Sequence, residues 1–192
     1  MRLYSSGAIE EADQALYEYA LNIALSGILH LATCIALGAI FGIIPASLAL
    51  FIPFIVIRKF AGGFHASTPL RCYLFSVAMN GLLLAFVKFV PQPVLLLYGV
   101  LLAIPLIAIC ILAPSDTNEK PLSEKEKKVF KVVSIVLYFA LATLSLLAYY
   151  FVSKQIGFAI CLSLDLEALV LCLAFGSRLL SKRKHSEERE NP

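Results

Sequence analysis

Apolar positions in this chain fall in long unbroken runs, without the alternation of a half-buried strand or the one-sided periodicity of a surface helix. Residues 21–44, 72–90, 94–113, 129–152 and 156–180 approach or exceed the roughly 20 apolar residues that carry a helix across a bilayer. A sixth run, 47–57, is short. It reads as a short span ending near Arg58 and Lys59, whose long stems let their charges reach toward the headgroups. Glycine and proline punctuate the chain where reversals are needed, at 42–45, 62–69, 91–93 and 114–121. The pattern predicts an all-α, polytopic membrane helix bundle of about six transmembrane helices in a single domain. Its bundle covers 21–180 with a loop at 58–72, an interfacial segment precedes it at 1–20, and a tail follows at 181–192.

The polar stretches set the orientation. With both termini inside, of the 16 basic residues only Lys88 and Lys154 fall outside. Arg2, Arg58, Lys59, Arg71, Lys120, Lys125, Lys127, Lys128, Lys131, Arg178, Lys182, Arg183, Lys184 and Arg189 fall inside, which predicts an N-in, C-in topology. Within the first twenty residues Ile9, Ala12, Leu16 and Tyr19 oppose Glu10, Glu11, Gln14 and Glu18, so an amphipathic helix lying on the inner surface is expected there. Those acidic residues are also unlike the basic start and short apolar core of a cleaved signal. The tail, SKRKHSEEREN, is charged and expected to be disordered.

Composition agrees: 60% of residues are apolar and 15% charged, with a mean hydropathy of +0.86, far from a soluble domain. Nucleic acid is not an expected partner; the bilayer is, and a homodimer is an assembly left open. No phosphate-binding glycine loop and no convergent set of metal ligands is present, so neither cofactor nor metal is expected.

The five cysteines, Cys34, Cys72, Cys110, Cys161 and Cys172, lack the spacing of a disulfide framework or zinc site. Four lie inside apolar runs and read as small packing residues. Cys72 differs, because it closes the segment RKFAGGFHASTPLRC (58–72). Pro69 suits a first helical position and Thr68 the N-cap before it. That puts Cys72 in a first helical turn, where the helix dipole and Arg71 favour the thiolate, the form that attacks a carbonyl. First-turn amides without intrahelical partners are candidate oxyanion donors. Gly62 and Gly63 allow a loop to fold His65 back toward the sulfur as a general base, whereas a structural loop histidine and boundary thiol is the plainer alternative.

The run RKFAGGFHASTPLRCY resembles the signature of the accessory gene regulator B (AgrB) family, membrane cysteine endopeptidases that process quorum-sensing propeptides. A basic pair, glycines, a His and a Cys seven positions later define that segment, matched here by Arg58, Lys59, Gly62, Gly63, His65 and Cys72. The chain length, the multi-span layout and the basic loop APSDTNEKPLSEKEKK extend the likeness. The resemblance implies Cys72 as nucleophile and His65 as its base. It also implies an AgrD-like propeptide substrate whose C-terminal tail is cleaved through a thioester, followed by ring closure to a thiolactone or lactone. Arg58, Lys59 and Arg71, with Gly62 and Gly63, flank the site as substrate-binding candidates, and the acidic tail of such a peptide would suit those cations. Asp116 and Glu167 are accessory candidates for orienting the imidazole.

A rival expectation is a small peptide transporter or channel subunit in which Asp165 and Glu167, acidic groups within a span, line the path; a silent scaffold is a third. His30 reads as a hydrogen-bonded interior residue, and His185 as part of the tail.

Overall fold

A computed structural model describes residues 14–63, 68–115 and 123–190 of the chain. Six helices are built from them: α1 (Gln14–Phe41), α2 (Ile44–Ala61), α3 (Pro69–Phe89), α4 (Leu95–Leu112), α5 (Glu124–Leu147) and α6 (Lys154–Glu190). A π-helical turn, Ala148–Val152, joins α5 to α6. All six helices are long and apolar enough to cross a membrane, and the protein is a multi-pass, all-α membrane bundle. The short run at 47–57 is the middle of the 18-residue α2, which gains its length by continuing through Arg58 and Lys59.

Two sequence expectations change. Residues 14–20 belong to α1 and are continuous with the first span, so from Gln14 onward there is no separate interfacial helix. Nothing in that stretch, neither Gly nor Pro, interrupts a helix that is already nucleated. The rest of the interfacial segment, 1–13, lies outside the described residues. The tail, expected to be disordered, continues α6 to Glu190. Up to Glu190 it too lacks Gly and Pro and is rich in Lys, Arg and Glu, all good helix formers, so propagation costs little.

The first hairpin shows how the sequence sets the packing. Gly42, at φ 68°, ends α1 with its N–H on the Ala39 carbonyl at 3.1 Å and the Ile43 N–H on the Gly38 carbonyl at 2.8 Å, a Schellman arrangement that favours glycine. Ser47 on α2 then donates its hydroxyl to the Cys34 carbonyl on α1 at 2.7 Å.

The core gathers on α6, where every residue from 157 to 164 is buried. A helix apolar on all sides belongs in the centre of a bundle. Phe158, Ala159, Cys161 and Leu162 pack with Leu50, Leu84 and Tyr98, Leu164 and Leu171 with Ile57, Ile109 and Tyr138, and Leu166 and Val170 with Phe54. Lipid is as apolar as leucine, so close packing and interhelical hydrogen bonds hold such a bundle, each bond contributing about 0.6 kcal/mol on average. Tyr98 bonds the Ser145 hydroxyl, the Tyr138 hydroxyl donates to the Leu102 carbonyl, and Tyr149 donates to the Pro93 carbonyl at 2.9 Å. Ile28, Ile40, Leu74, Leu82, Leu96 and Ile111 are exposed on the outside, as a lipid-facing surface requires.

Candidate active site around Cys72

The motif lies at the bundle end where α2 stops and α3 starts. Gly62 caps α2 at φ 80°, ψ −149°, a conformation essentially confined to glycine. It pairs with Ser115, just after α4, in an isolated parallel bridge, and the Ser115 N–H donates to the Ala61 carbonyl at 2.8 Å. A Cβ on Gly62 would stand 2.5 Å from the Ser115 carbonyl oxygen. Gly63, at φ 145°, is equally confined: a Cβ there would meet Val170 Cγ1 at 2.6 Å and Arg58 Nη1 at 3.1 Å. The paired glycines therefore bring the backbone against α6 and against the chain that leads into residue 116.

On the far side of the loop, Thr68 is the N-cap of α3 with Pro69 in the first turn, as the sequence predicts. The Arg71 N–H donates to Thr68 Oγ1 at 3.3 Å, and the Cys72 N–H to the Thr68 carbonyl at 3.1 Å. These bonds correct one expectation: the Arg71 and Cys72 amides are taken up by the cap and are not waiting for an oxyanion.

Cys72 is half-buried and lines a cleft of about 360 Å³ of empty space, part of it open. Phe54 and Arg58 of α2, Leu166 and Val170 of α6, and Phe75, Ser76, Met79 and Asn80 of α3 complete its walls. The α3 residues recur at the three- and four-residue steps that stack on one helix face. Counting those steps from Cys72 would have found Phe75, Ser76, Met79 and Asn80 in the sequence; Phe54 is one turn before Arg58 by the same rule. Ser76 donates to the Cys72 carbonyl at 3.0 Å and Asn80 Nδ2 to the Ser76 carbonyl at 2.8 Å. Arg58 holds its guanidinium carbon 5.5 Å from the centre of the Phe54 ring, a cation–π distance.

Of the residues singled out in the sequence, the structure brings together Cys72, Arg58 and, through its contacts with Arg58 and Val170, Gly63. Lys59 and Arg71 are exposed and do not line the cleft; Lys59 lies over Phe60 at 5.9 Å. His65 and Asp116 lie outside the described residues, although their neighbours Gly63 and Ser115 are at this end of the bundle. Glu167 is 0% exposed. Both its carboxylate oxygens, and Asp165 Oδ2, lack a hydrogen-bond partner among the described residues. Neither residue lines the cleft, whose α6 wall is Leu166 and Val170.

Beyond Ser76 and Asn80 a second, more open cleft is lined by His30, Thr33 and Cys34 of α1. The contacts of His30 among the described residues are aromatic: its ring centre is 5.1 Å from Tyr73 and 6.5 Å from Phe51. The hydrogen bond expected for it belongs to its neighbour instead, with Thr33 Oγ1 2.6 Å from the Tyr73 hydroxyl. No group of three or more His, Cys, Asp and Glu side chains among the described residues could hold a metal ion.

The sequence profile of Accessory gene regulator B spans residues 2–171, taking in both walls of the cleft. The chain belongs to the accessory gene regulator B family. It is 37% identical over 102 residues to Accessory gene regulator protein B of Staphylococcus saprophyticus, covering 52% of this chain and 53% of that one. The corresponding protein of Staphylococcus aureus is 33% identical over 104 residues, 53% of this chain and 54% of that one. Protein FsrB of Enterococcus faecalis is 25% identical over 155 residues, 80% of this chain and 62% of that one. The matched stretch thus spans about half the length of the two Staphylococcus relatives. No solved structure matches the chain. Membership in the family agrees with the resemblance carried by residues 58–73.

Proposed function

We propose that this protein is a membrane cysteine endopeptidase that removes the C-terminal tail of an AgrD-like propeptide and leaves the remainder ready for ring closure. The observation that supports it most is Cys72, half-buried in the first turn of α3 and opening onto a cleft that Arg58 also lines. Gly63 packs on the same wall through Val170 and Arg58. On this reading Cys72 Sγ attacks the carbonyl at the tail junction, and His65 receives the thiol proton and passes it to the departing amine as the C–N bond breaks. The product is a thioester on Cys72 and a free tail. A thiol or hydroxyl of the propeptide then attacks that thioester, the acyl–Sγ bond breaks as the thiolactone or lactone forms, and the proton of the attacking group passes to the released Cys72 Sγ. Thiol-for-thiol exchange conserves the acyl–sulfur bond type, so it needs no ATP, and apolar walls that keep water away protect the intermediate.

With the Arg71 and Cys72 amides engaged by the cap, Arg58 serves the developing oxyanion as a fixed positive group in the cleft. Exposed Lys59 and Arg71, with Lys125, Lys127, Lys128 and Lys131 at the start of α5, attract an acidic tail to the inner face. Co-expression with a tagged AgrD-like propeptide from the same genome tests the reading. Cys72→Ala should abolish tail release, and His65→Ala should do so with the protein still inserted and folded. Cleavage by the Cys72 variant would remove the nucleophile.

A second reading is favoured by one observation, the two carboxyl oxygens of Glu167 and Oδ2 of Asp165, which are buried and lack a hydrogen-bond partner among the described residues. Intramembrane acidic groups of that kind mark transport paths. A small peptide transporter would tolerate Cys72→Ala and fail on Glu167→Gln.

A further inference from the structure

Arg58 is the charged group in the lining of the Cys72 cleft, and a guanidinium acts as a fixed charge only when acceptors hold its N–H groups. The Phe54 ring, 5.5 Å away, attracts the charge without offering a lone pair. Glu167 on α6 has the opposite deficit: it is 0% exposed, and neither of its carboxyl oxygens has a hydrogen-bond partner among the described residues. A buried acceptor in that state costs free energy that a nearby donor recovers. The two groups are close. A Cβ on Gly63 would lie 2.6 Å from Val170 Cγ1 and 3.1 Å from Arg58 Nη1, so the tip of the guanidinium and the Val170 side chain border the same small space. Glu167 precedes Val170 by the three-residue step that stacks side chains on one helix face, and Arg58 is the charge whose field reaches it. Asp165 is placed differently. Two residues from Glu167, it points about 200° round the helix, and the groups it acts on are Tyr138 and Cys161.

We propose that Glu167 is the positioning residue for Arg58, its carboxyl group accepting from the guanidinium so that the charge stays at the Cys72 cleft. The proposal rests on the reading of Arg58 as the group that serves an oxyanion formed when Cys72 attacks. Five N–H donors let a guanidinium serve several acceptors at once, and rotation about the side-chain torsions of Glu167 carries its oxygens toward Val170 with the helix backbone in place. What matters at 167 is an oxygen acceptor. Removing it strands the guanidinium, removing the guanidinium strands the carboxyl, and removing both leaves an apolar contact that costs little. A carboxyl group is thus buried on α6 without lining the cleft because it acts on the chemistry through Arg58 and touches no reacting atom.

The test uses the full chain in lipid nanodiscs and two readouts. The first is thermal unfolding without substrate of wild type, Arg58→Met, Glu167→Met and the double variant, a cycle that isolates the pair. Each single variant is expected to unfold at a lower temperature than wild type, and the double variant at a higher temperature than either single one. Asp165→Leu combined with Arg58→Met should instead give the sum of the two separate shifts. The second readout is tail release from a tagged AgrD-like propeptide, normalised to folded protein. Glu167→Met should lower kcat at least about tenfold with KM within about twofold, the pattern of an interaction made in the transition state. Glu167→Gln, nearly the same shape but with an oxygen acceptor, should stay within about twofold of wild type in both constants. In the Arg58→Met background, Glu167→Met should lower kcat no further, because its effect passes through the missing guanidinium. Glu167→Leu takes the same place in both experiments where the methionine variant does not fold. Additive unfolding shifts for Arg58 and Glu167, or an equal loss of kcat on Glu167→Met with and without Arg58, would overturn the proposal. A coupled unfolding cycle in a protein whose Cys72→Ala variant still cleaves keeps the pair and removes the peptidase reading; cleavage that depends on Cys72 together with additive shifts keeps the peptidase and removes the pair.

Discussion

Replacing Gly62 with alanine should cripple the site without touching any reactive atom. At φ 80°, ψ −149° an L-residue carries strain of about 1–3 kcal/mol. The added Cβ would sit 2.5 Å from the Ser115 carbonyl oxygen, a backbone atom that cannot swing aside as a side-chain tip can. Moving Ser115 away breaks its 2.8 Å bond to the Ala61 carbonyl, worth about 0.5–1.5 kcal/mol. Together these come to about 2–4 kcal/mol against the observed loop arrangement, or roughly thirty-fold to several hundred-fold in its occupancy. Gly81→Ala and Gly99→Ala are the controls, since a Cβ at either position meets nothing within 4 Å and alanine favours a helix interior. The assay is tail release from a tagged AgrD-like propeptide in membranes, normalised to inserted protein, alongside thermal unfolding in detergent. Cleavage should fall by at least tenfold, a conservative floor for that range, in Gly62→Ala and stay at the wild-type level in both controls. If Gly62→Ala cleaved as fast as Gly81→Ala, the close contact with Ser115 would not matter to the site and the reasoning would fail.

Three further outcomes are expected. Thr68→Ala removes the cap of α3 and should cost about 1 kcal/mol of stability, whereas Thr68→Ser or Thr68→Asp should cost less; unfolding midpoints and cleavage rates measured together would show whether the cap acts on the site through helix position. Glu167→Gln keeps shape and removes a titratable carboxyl from a buried position, so cleavage should persist, and a variant that folds but neither cleaves nor releases product would move function toward α6. Lys125→Cys should react with a membrane-impermeant maleimide only after cells are permeabilised; labelling of intact cells would reverse the N-in topology on which the inner-face site depends.

The sequence by itself determined the class of the protein, because apolar run length against bilayer thickness is a local property that no tertiary contact overrides. It also determined the start of α3: Thr68, Pro69 and the following turn carry their own capping chemistry, which the structure reproduces. The need for glycine at 62 and 63 was legible, though its reason was not. Positive φ is a property of one residue, but the contacts that exclude a Cβ come from Ser115 and Val170, far along the chain. The cleft likewise needed three helices in register. Its α3 wall follows from helical spacing after Cys72, yet Phe54, Leu166 and Val170 join it only because α6 occupies the centre of the bundle, a choice made by packing between helices that all look equally apolar in sequence. For the same reason Arg58 and Lys59, neighbours in the motif, part company in space: adjacent positions on a helix point about 100° apart, and only the placement of α6 decided which of the two faces the sulfur's cleft.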